Sequence, residues 1–435
     1  MKTFHCCCLA VLSAVAPVAR AAEIAPAEAP PAARAVEQVA KIQAALQQAG
    51  LDGWLLYDFR GINPIASRVL LLPKIGAATR RWYYFIPAEG PPVRIVHAIE
   101  PHRLDSLPGA KTIYGAWPTL QAAIRGALAG HKKIAMEYSP DGAIPYVARV
   151  DAGTVDFVRS TGADVVSSGD LVQRFEAVWT PAQREQHERA VKVLRQVIDE
   201  AWAQIARAIR AGEFIDERIV QQQCGRRMEE LGLGNEPPIV AVNANAADPH
   251  YFPVGPRSSP IARGDLVLID IVGKVREPDA VYADITWMGV VAETVPERFE
   301  KIWRIVAAAR DAALELVRAG ARSGNLPAGF QVDDAARGVI ARAGYGAQFI
   351  HRTGHSIAYE VHGNGAHLDN FETHDERRLI PHTGFSIEPG IYLPGEFGIR
   401  SEIDVYLDDH DAIVTGGNPP QKDLVPILAS NPPRP

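Results

Sequence analysis

Cysteine is almost absent from this chain: Cys6, Cys7 and Cys8 sit at the very start and Cys224 stands alone after them. No disulfide framework can therefore hold the bulk of the protein, which must fold on an apolar core. An excess of positive charge is also missing. The formal net charge is -6, so there is no electrostatic reason to expect nucleic acid or an anionic membrane surface as a partner. Beyond the first two dozen residues no apolar run is long enough to cross a bilayer. What is present, 47% hydrophobic and 22% charged residues over 435 positions, suits a globular protein with room for two domains.

The opening stretch MKTFHCCCLAVLSAVAPVARAAE has a basic Lys2, an apolar segment from about Cys6 to Val18, and small residues at Ala19 and Ala21. It reads as an export signal over residues 1–21, cleaved after Ala21, and predicts a periplasmic or secreted protein. The mature chain would keep only Cys224. Residues 22–33 are rich in Pro and Ala and read as a flexible leader. A helix is predicted from Arg34 to Ala49, stopped by Gly50, followed by strands at GWLLYD, WYYFIP, VRIVHAI and KIAMEY with a helix near Leu120 to Leu128. That alternation predicts an α/β domain over residues 34–178.

A second domain, residues 179–435, opens at Thr180-Pro181, a good helix start, and a long helix is predicted to about Ala211. Within it RAIRAGEFIDERIVQQQCGRRMEELGLG is echoed by ELVRAGARSGNLPAGFQVDDAARGVIARAGYG. Both read as a long helix ending at Arg-Ala-Gly, a loop and a second helix, each followed by β-rich sequence. Two αβ halves of that kind would set strands side by side with a cleft where they meet.

The stretch HRTGHSIAYEVHG carries His351, His355 and His362. A zinc-binding helix is disfavoured there, because the β-leaning run from Ser356 to Val361 and Gly354 interrupt any turn. Four acids lie in apolar, strand-like runs elsewhere: Asp270 in LVLIDI, Asp284 in VYADITW, Glu388 in FSIEPGIY and Glu402 in IRSEIDVYL. Alternation along the last puts Arg400, Glu402 and Asp404 on one face. Carboxylates in such surroundings are costly unless a partner or a metal neutralises them. Oxygen-rich coordination with an imidazole suits two divalent ions, manganese first, with zinc, cobalt or iron possible. Four carboxylates can also bridge a metal pair roughly 3.5–4 Å apart.

Asp270, Asp284, His355, Glu388 and Glu402 follow one another in the order Asp, Asp, His, Glu, Glu. In that order, and in the motifs ADPHYFP, HRTGHSIAYEVHG, SIEPGIYLPG and IRSEIDV, the chain resembles the pita-bread metallopeptidases of the prolidase, aminopeptidase P and creatinase branch, most of all the bacterial Xaa-Pro dipeptidases. The resemblance runs from Thr180 onward and, more loosely, over the first domain. It implies an α/β (α+β) fold, a creatinase-like N-terminal domain before a pita-bread domain with pseudo-two-fold αβ halves, and a homodimer. Asp270 would hold one ion, His355 and Glu388 the other, and Asp284 and Glu402 would bridge. The bridging water would be the nucleophile, Glu388 the acid/base group, and His250 and His362 the hydrogen-bond donors to the carbonyl of a proline-containing dipeptide or short peptide. Arg400 would support a ligand carboxylate.

Departures from the pattern are visible too. REPDAV lengthens the segment between Asp270 and Asp284, Val281 stands where the family has Tyr with Tyr282 one place later, and Trp287 replaces an Arg. Gly363 replaces a Glu, which is expected to open that corner of the site. A dipeptidase needs a cation for the substrate carboxylate, and Arg377 or Arg378 is expected to provide it. His351 has no assigned role, and His367, His374 and His382 lie in loop-like sequence. The rival readings are aminopeptidase P acting on longer peptides, a creatinase-like amidinohydrolase, and a catalytically silent peptide-binding protein. The intact five-residue set argues against the last two.

Overall fold

A computed structural model describes residues 31–430 apart from 74, 75 and 77. The expected export signal, and the leader as far as residue 30, lie outside the described residues. The last leader residues are not loop: helix α1 spans Pro31–Gln48, because Pro is pre-organised for a first helical turn.

Six strands build the N-terminal sheet: β1 (Gly53–Asp58), β2 (Trp82–Pro87), β3 (Val93–His97), β4 (Ala110–Tyr114), β5 (Lys133–Met136) and β6 (Asp164–Ser167). Their spatial order is β4-β3-β2-β1-β5-β6. Strands β1 and β2 are buried along their whole length, which is why GWLLYD and WYYFIP are nearly continuous apolar runs. Alternation sends Trp54, Leu56 and Trp82 toward Val39 and Ile42 of α1. It sends Leu55, Tyr57 and Phe85 to the other face, against α3 (Trp117–Leu128) and α4 (Ala152–Ser160). Two shorter helices, α2 (Pro64–Val69) and α5 (Gly169–Glu176), complete this part.

The C-terminal part repeats one plan twice. Helix α6 (Pro181–Ala211) opens on a Thr180–Gln183 capping box and stops at Gly212, whose φ of 69° only glycine adopts readily. A loop and the 14-residue helix α7 (Glu217–Glu230) follow. Helix α8 (Glu297–Ser323) stops at Gly324, again at φ 69°, before the 14-residue α9 (Gly329–Arg342). The echo in the sequence is thus an echo in the fold, with one correction. Its second Arg-Ala-Gly does not end the helix, because α8 continues through Gly320 for another turn. A Cβ at Gly320 would lie 2.7 Å from Pro327, so the glycine serves the returning loop rather than the helix stop.

Each helix pair covers a sheet. Strands β7 (Leu233–Asn235), β8 (Ile239–Val242), β9 (Leu266–Val275), β10 (Ala283–Val290) and β17 (Val425–Pro426) form a five-stranded sheet whose apolar face packs on α6 and α7. Strands β11 (Ser356–Ile357), β12 (Thr383–Ile387), β15 (Ile403–Leu407) and β16 (Ala412–Gly416) form a second sheet, packed with α8 and α9. Strands β13 (Gly390–Leu393) and β14 (Phe397–Arg400) make a separate two-stranded ribbon. The run IRSEIDVYL is therefore not one strand: it leaves the ribbon after Arg400 and enters the second sheet at Ile403. No described helix is long and apolar enough to cross a membrane.

Candidate metal centre

The two half-sheets bring their acids to a common line. In the β9–β10 pair Asp270 stands opposite Thr286 and Asp284 opposite Val272, so the two aspartates are diagonal neighbours on one face. The lengthened segment between them is spent outside the pairing, after Val275 and before Ala283, and leaves the acids in register. In the other half Glu388 directly follows β12 and Glu402 directly precedes β15, beside the paired residues Ile387 and Ile403. Asp284, His355 and Glu402 each offer an atom within 4.8 Å of the others. His355 Nε2 lies 3.3 Å from Glu388 Oε1 and 3.7 Å from Asp284 Oδ2. Asp270 is joined to the group through Arg400, which ion-pairs with Asp270 Oδ2.

The electrostatics are unfavourable without a cation. Burial raises Asp284 well above the usual carboxylate range, and the neighbouring charges of Glu402, Asp270, Asp404 and Glu388 raise it further. Glu402 is raised for the same two reasons, with Glu388 the first neighbour, and Glu388 is pushed up to about 7, mostly by burial. Asp284 Oδ1 has no hydrogen-bond partner among the described residues. His355 Nδ1 faces the carbonyl oxygen of Ser356 at 3.3 Å, which only accepts, so the ring proton belongs on Nδ1 and Nε2 presents its lone pair to the acids. Burial and the charges of His362 and Arg352 hold this imidazole neutral. A bare nitrogen lone pair among buried carboxylates, with one oxygen left over, is a donor set that fits a divalent cation.

Around the donors lies a supporting layer. Buried Arg400 donates from Nε to Thr286 Oγ1 at 3.1 Å, and that hydroxyl donates to Glu402 Oε2 at 2.7 Å. Arg400 Nη1 lies 3.3 Å from Tyr392 Oη, which in turn donates to His351 Nε2 at 2.7 Å, while His351 Nδ1 donates to the Arg352 carbonyl at 2.6 Å. His351 is thus not a ligand but the end of a chain that holds Tyr392 and Arg400. Asp404 accepts from the Asp284 backbone N–H at 2.9 Å and braces that residue from behind.

His362 sits edge-on to His355 with ring centroids 4.3 Å apart, and the exposed His250 is near enough for its charge to reach His362. The loop carrying His250 is held by Glu217. Its buried carboxylate accepts from Val242 N and Ser259 N, both at 2.7 Å, from Tyr251 Oη at 2.6 Å and from Asn245 Nδ2 at 2.9 Å. Sequence reasoning missed Glu217, which reads as an ordinary acid in the first turn of a helix.

Three expectations are corrected. Arg377 is buried and fully engaged: Nε and Nη2 grip Asp375 at 2.9 and 2.7 Å, and Nη1 and Nη2 donate to the carbonyls of Asn364 and Gly365 at 2.7 Å. Arg378 is exposed and tied to Asn325 Oδ1 and the Leu326 carbonyl in the α8–α9 loop. Neither offers a free cation to the cluster. Arg352 does stand there, with its charge reaching Glu388, His355 and His362, and it was overlooked between the histidines of HRTGH. Gly363 leaves no open corner, because a Cβ there would already lie 3.0 Å from Ser356 Oγ and 3.2 Å from Ala358 Cβ. Trp287 turns away from the acids into the core under α6, with Arg195 stacked 3.6 Å from its ring, so its replacement of an Arg does not alter the donor set. Val281 packs with Trp179, Ile357 and Tyr406, while Tyr282 lies under Lys274.

Two helix-covered half-sheets that meet over a carboxylate–imidazole cluster define a metal-binding hydrolase class. Comparison with known proteins agrees. The model of metallopeptidase family M24 matches residues 185–409, more than half of the chain, and the protein belongs to that family. It is 32% identical over 189 residues to a probable dipeptidase PepE of Mycobacterium bovis, covering 43% of this chain and 46% of that protein. To the Xaa-Pro dipeptidase of Lactobacillus helveticus it is 33% identical over 198 residues, 45% of this chain and 49% of that one. The matches thus span about half the length of these curated relatives. The crystal structure of dipeptidase PepE from Mycobacterium ulcerans superimposes with a TM-score of 0.64 at 23% identity, over 90% of this chain and 98% of that chain, and shares the pita-bread fold.

Proposed function

We propose that the protein is a Xaa-Pro dipeptidase that works with two divalent metal ions, manganese first. The observation that carries this reading is the meeting of Asp284, His355 and Glu402, with Glu388 beside His355 Nε2, Asp270 near enough for its charge to raise Asp284 and Glu402, and Asp284 Oδ1 without a hydrogen-bond partner among the described residues. Asp270 would hold one ion, His355 and Glu388 the other, and Asp284 and Glu402 would serve both. Bound ions would supply Lewis acidity and lower the pKa of water to near neutrality.

The chain's own residues supply the rest. Glu388, whose Oε1 lies 3.3 Å from His355 Nε2 at the centre of the cluster, would accept a proton and deliver it to the departing nitrogen. In a Xaa-Pro bond that nitrogen is a tertiary amide without N–H, and like any amide nitrogen it must be protonated to leave. His362, edge-on to His355, and His250, near enough for its charge to reach His362, would donate to the scissile carbonyl as negative charge develops there. Dipeptides are favoured over longer peptides because the similar proteins named above are dipeptidases. Residues 1–21 support export to the periplasm or medium, which cell fractionation checks, and a homodimer is tested by sedimentation.

Metal content and hydrolysis of Ala-Pro against Ala-Pro-Gly, with manganese added, test the proposal. Asp284→Asn is expected to lower bound metal and to reduce turnover by about 1000-fold or more, as removal of a shared ligand should. Turnover that survives this substitution, or wild-type protein that takes up no metal, would sink the reading.

A further inference from the structure

The N-terminal sheet carries a cavity of its own. Strands β1, β3 and β4 run parallel, with β2 antiparallel between β1 and β3, so three carboxyl ends reach the same edge of the sheet. In open α/β sheets ligands bind in the crevice outside such ends. Here Tyr57, His97 and Tyr114, at or next to the ends of β1, β3 and β4, line a space of about 520 Å³, a volume that suits a small molecule. No lining residue belongs to the acid cluster or to the groups that support it.

The lining combines cations with aromatic rings. Arg81 directly precedes β2, and the Tyr114 hydroxyl fixes it there by donating to its carbonyl oxygen at 2.7 Å. Arg81 is half-buried, and among the described residues its guanidinium has neither a hydrogen bond nor an ion pair. The exposed side chain of Arg80 donates to Thr79 of its own loop. His97 Nδ1 accepts from the Ile99 N–H at 3.0 Å, so the neutral ring carries its proton on Nε2, which has no partner among the described residues. Phe59 and Trp117 add flat apolar walls. Trp117 is 64% exposed in the first turn of α3, a large ring surface left in water rather than packed. The acid on the lining, Asp151, is already engaged: it accepts from Thr154 N at 2.9 Å, from Thr154 Oγ1 at 2.7 Å and from the Tyr57 hydroxyl. The balance of charge is therefore positive, with Arg81 unanswered.

We infer that this cavity is a second binding site, separate from the metal centre, for a small aromatic carboxylate. Arg81 offers the carboxylate a planar fork of N–H donors and His97 Nε2 a further one, while Phe59 and Trp117 present apolar faces to the ring. An inorganic anion would leave those faces unused, and a neutral aromatic would leave the Arg81 charge unanswered. The inference stands apart from the peptidase reading, because none of these residues takes part in the proposed reaction.

Ligand-observed NMR titrations of the metal-loaded full chain with phenylacetate, phenylacetamide and acetate test it. Arg81→Gln is expected to weaken phenylacetate by about tenfold, the worth of a charge-assisted contact, and to leave phenylacetamide within about twofold of the wild type. Trp117→Ala is expected to weaken phenylacetate by about fivefold and to leave acetate within about twofold, because only the ring loses its wall. The exposed position of Trp117 keeps that variant folded, so it decides the matter alone if Arg81→Gln fails to fold. Phenylacetate affinity unchanged in either folded variant overturns the inference and places the carboxylate elsewhere, on the metal ions first. A wild type that does not bind phenylacetate at millimolar concentration, or an Arg81→Gln variant that weakens acid and amide alike, overturns it as well.

Discussion

Arg400 shows how much a single side chain coordinates in this site. It pairs with Asp270, hydrogen-bonds Thr286, which in turn holds Glu402, and meets Tyr392, which is fixed by His351. An interaction passed along neutral hydroxyl and imidazole groups is strong only while every member stays in place. Tyr392→Phe removes the middle of the chain without touching a donor to the metal. Its expected effect is a loss of about 3–10-fold in kcat/KM, the worth of one or two hydrogen bonds, with metal content unchanged. Kinetics together with elemental analysis of the same preparation check it. Loss of metal from this variant would show that the donors depend on the whole chain of contacts and not on Arg400 alone.

Two local constraints decide where whole segments sit. Gly354 precedes His355 and packs against β12 so closely that a Cβ would fall 2.0 Å from the Ser386 carbonyl oxygen. Gly354→Ala must therefore push the His355 segment off the sheet. A destabilisation of about 1–3 kcal/mol is expected from such overpacking, with weaker metal binding, as read by denaturant melts and metal titration. Glu217 acts on the loop from Asn243 to Ser259 in a comparable way, by gathering its N–H and O–H donors. In Glu217→Gln one of those donors meets an amide N–H₂ instead of an oxygen, at a cost of about 1–3 kcal/mol. The loop with His250 is expected to loosen, so that kcat falls along with Tm, whereas His250→Ala should lower kcat and leave Tm in place. Equal kcat in Glu217→Gln and wild type would separate the loop's order from the reaction.

The assembled protein carries a stability that depends on pH and metal together. In the metal-free chain Asp284, Glu402 and Asp404 are held well above their ordinary values, and Glu388 at about 7. The folded state therefore keeps protons that the unfolded state has released. Stability from this source is complete below the ordinary carboxylate range and is lost as pH rises through the folded values. Buried His187, lowered to about 4, and His351, lowered to about 3, act the other way. They add stability above the ordinary histidine value of about 6.5 and withdraw it as pH falls toward their folded values. From pH 7 to 8.5 the histidines are nearly neutral in both states, and the acids act together with the buried Cys224 thiol, pushed up to about 12 by burial, which works in the same sense. The Tm of chelator-treated protein should fall across that window, and that of manganese-loaded protein should stay nearly level, because the cations replace the protons. Parallel melts of the two forms test this, and identical slopes would contradict it.

From the sequence alone came the elements and the chemistry they carry. Short apolar runs marked β9, β10, β12 and β15, and acids set within or at the ends of those runs marked Asp270, Asp284, Glu388 and Glu402, since burial of an unpaired carboxylate is costly enough to leave a trace in composition. The repeated helix–loop–helix pattern was legible for the same reason, as periodicity is a local property of the backbone. Partner choice was not. Arg377 had every mark of a substrate-binding cation until Asp375, two residues away, was found to hold it, and the alternation of Arg400, Glu402 and Asp404 hid a passage between two sheets. Glu217 acquires its meaning only from donors that the fold brings to it from further along the chain. Which polar groups meet depends on where packed sheets and helices come to rest, and the short range of a hydrogen bond leaves no periodic mark in the order of residues.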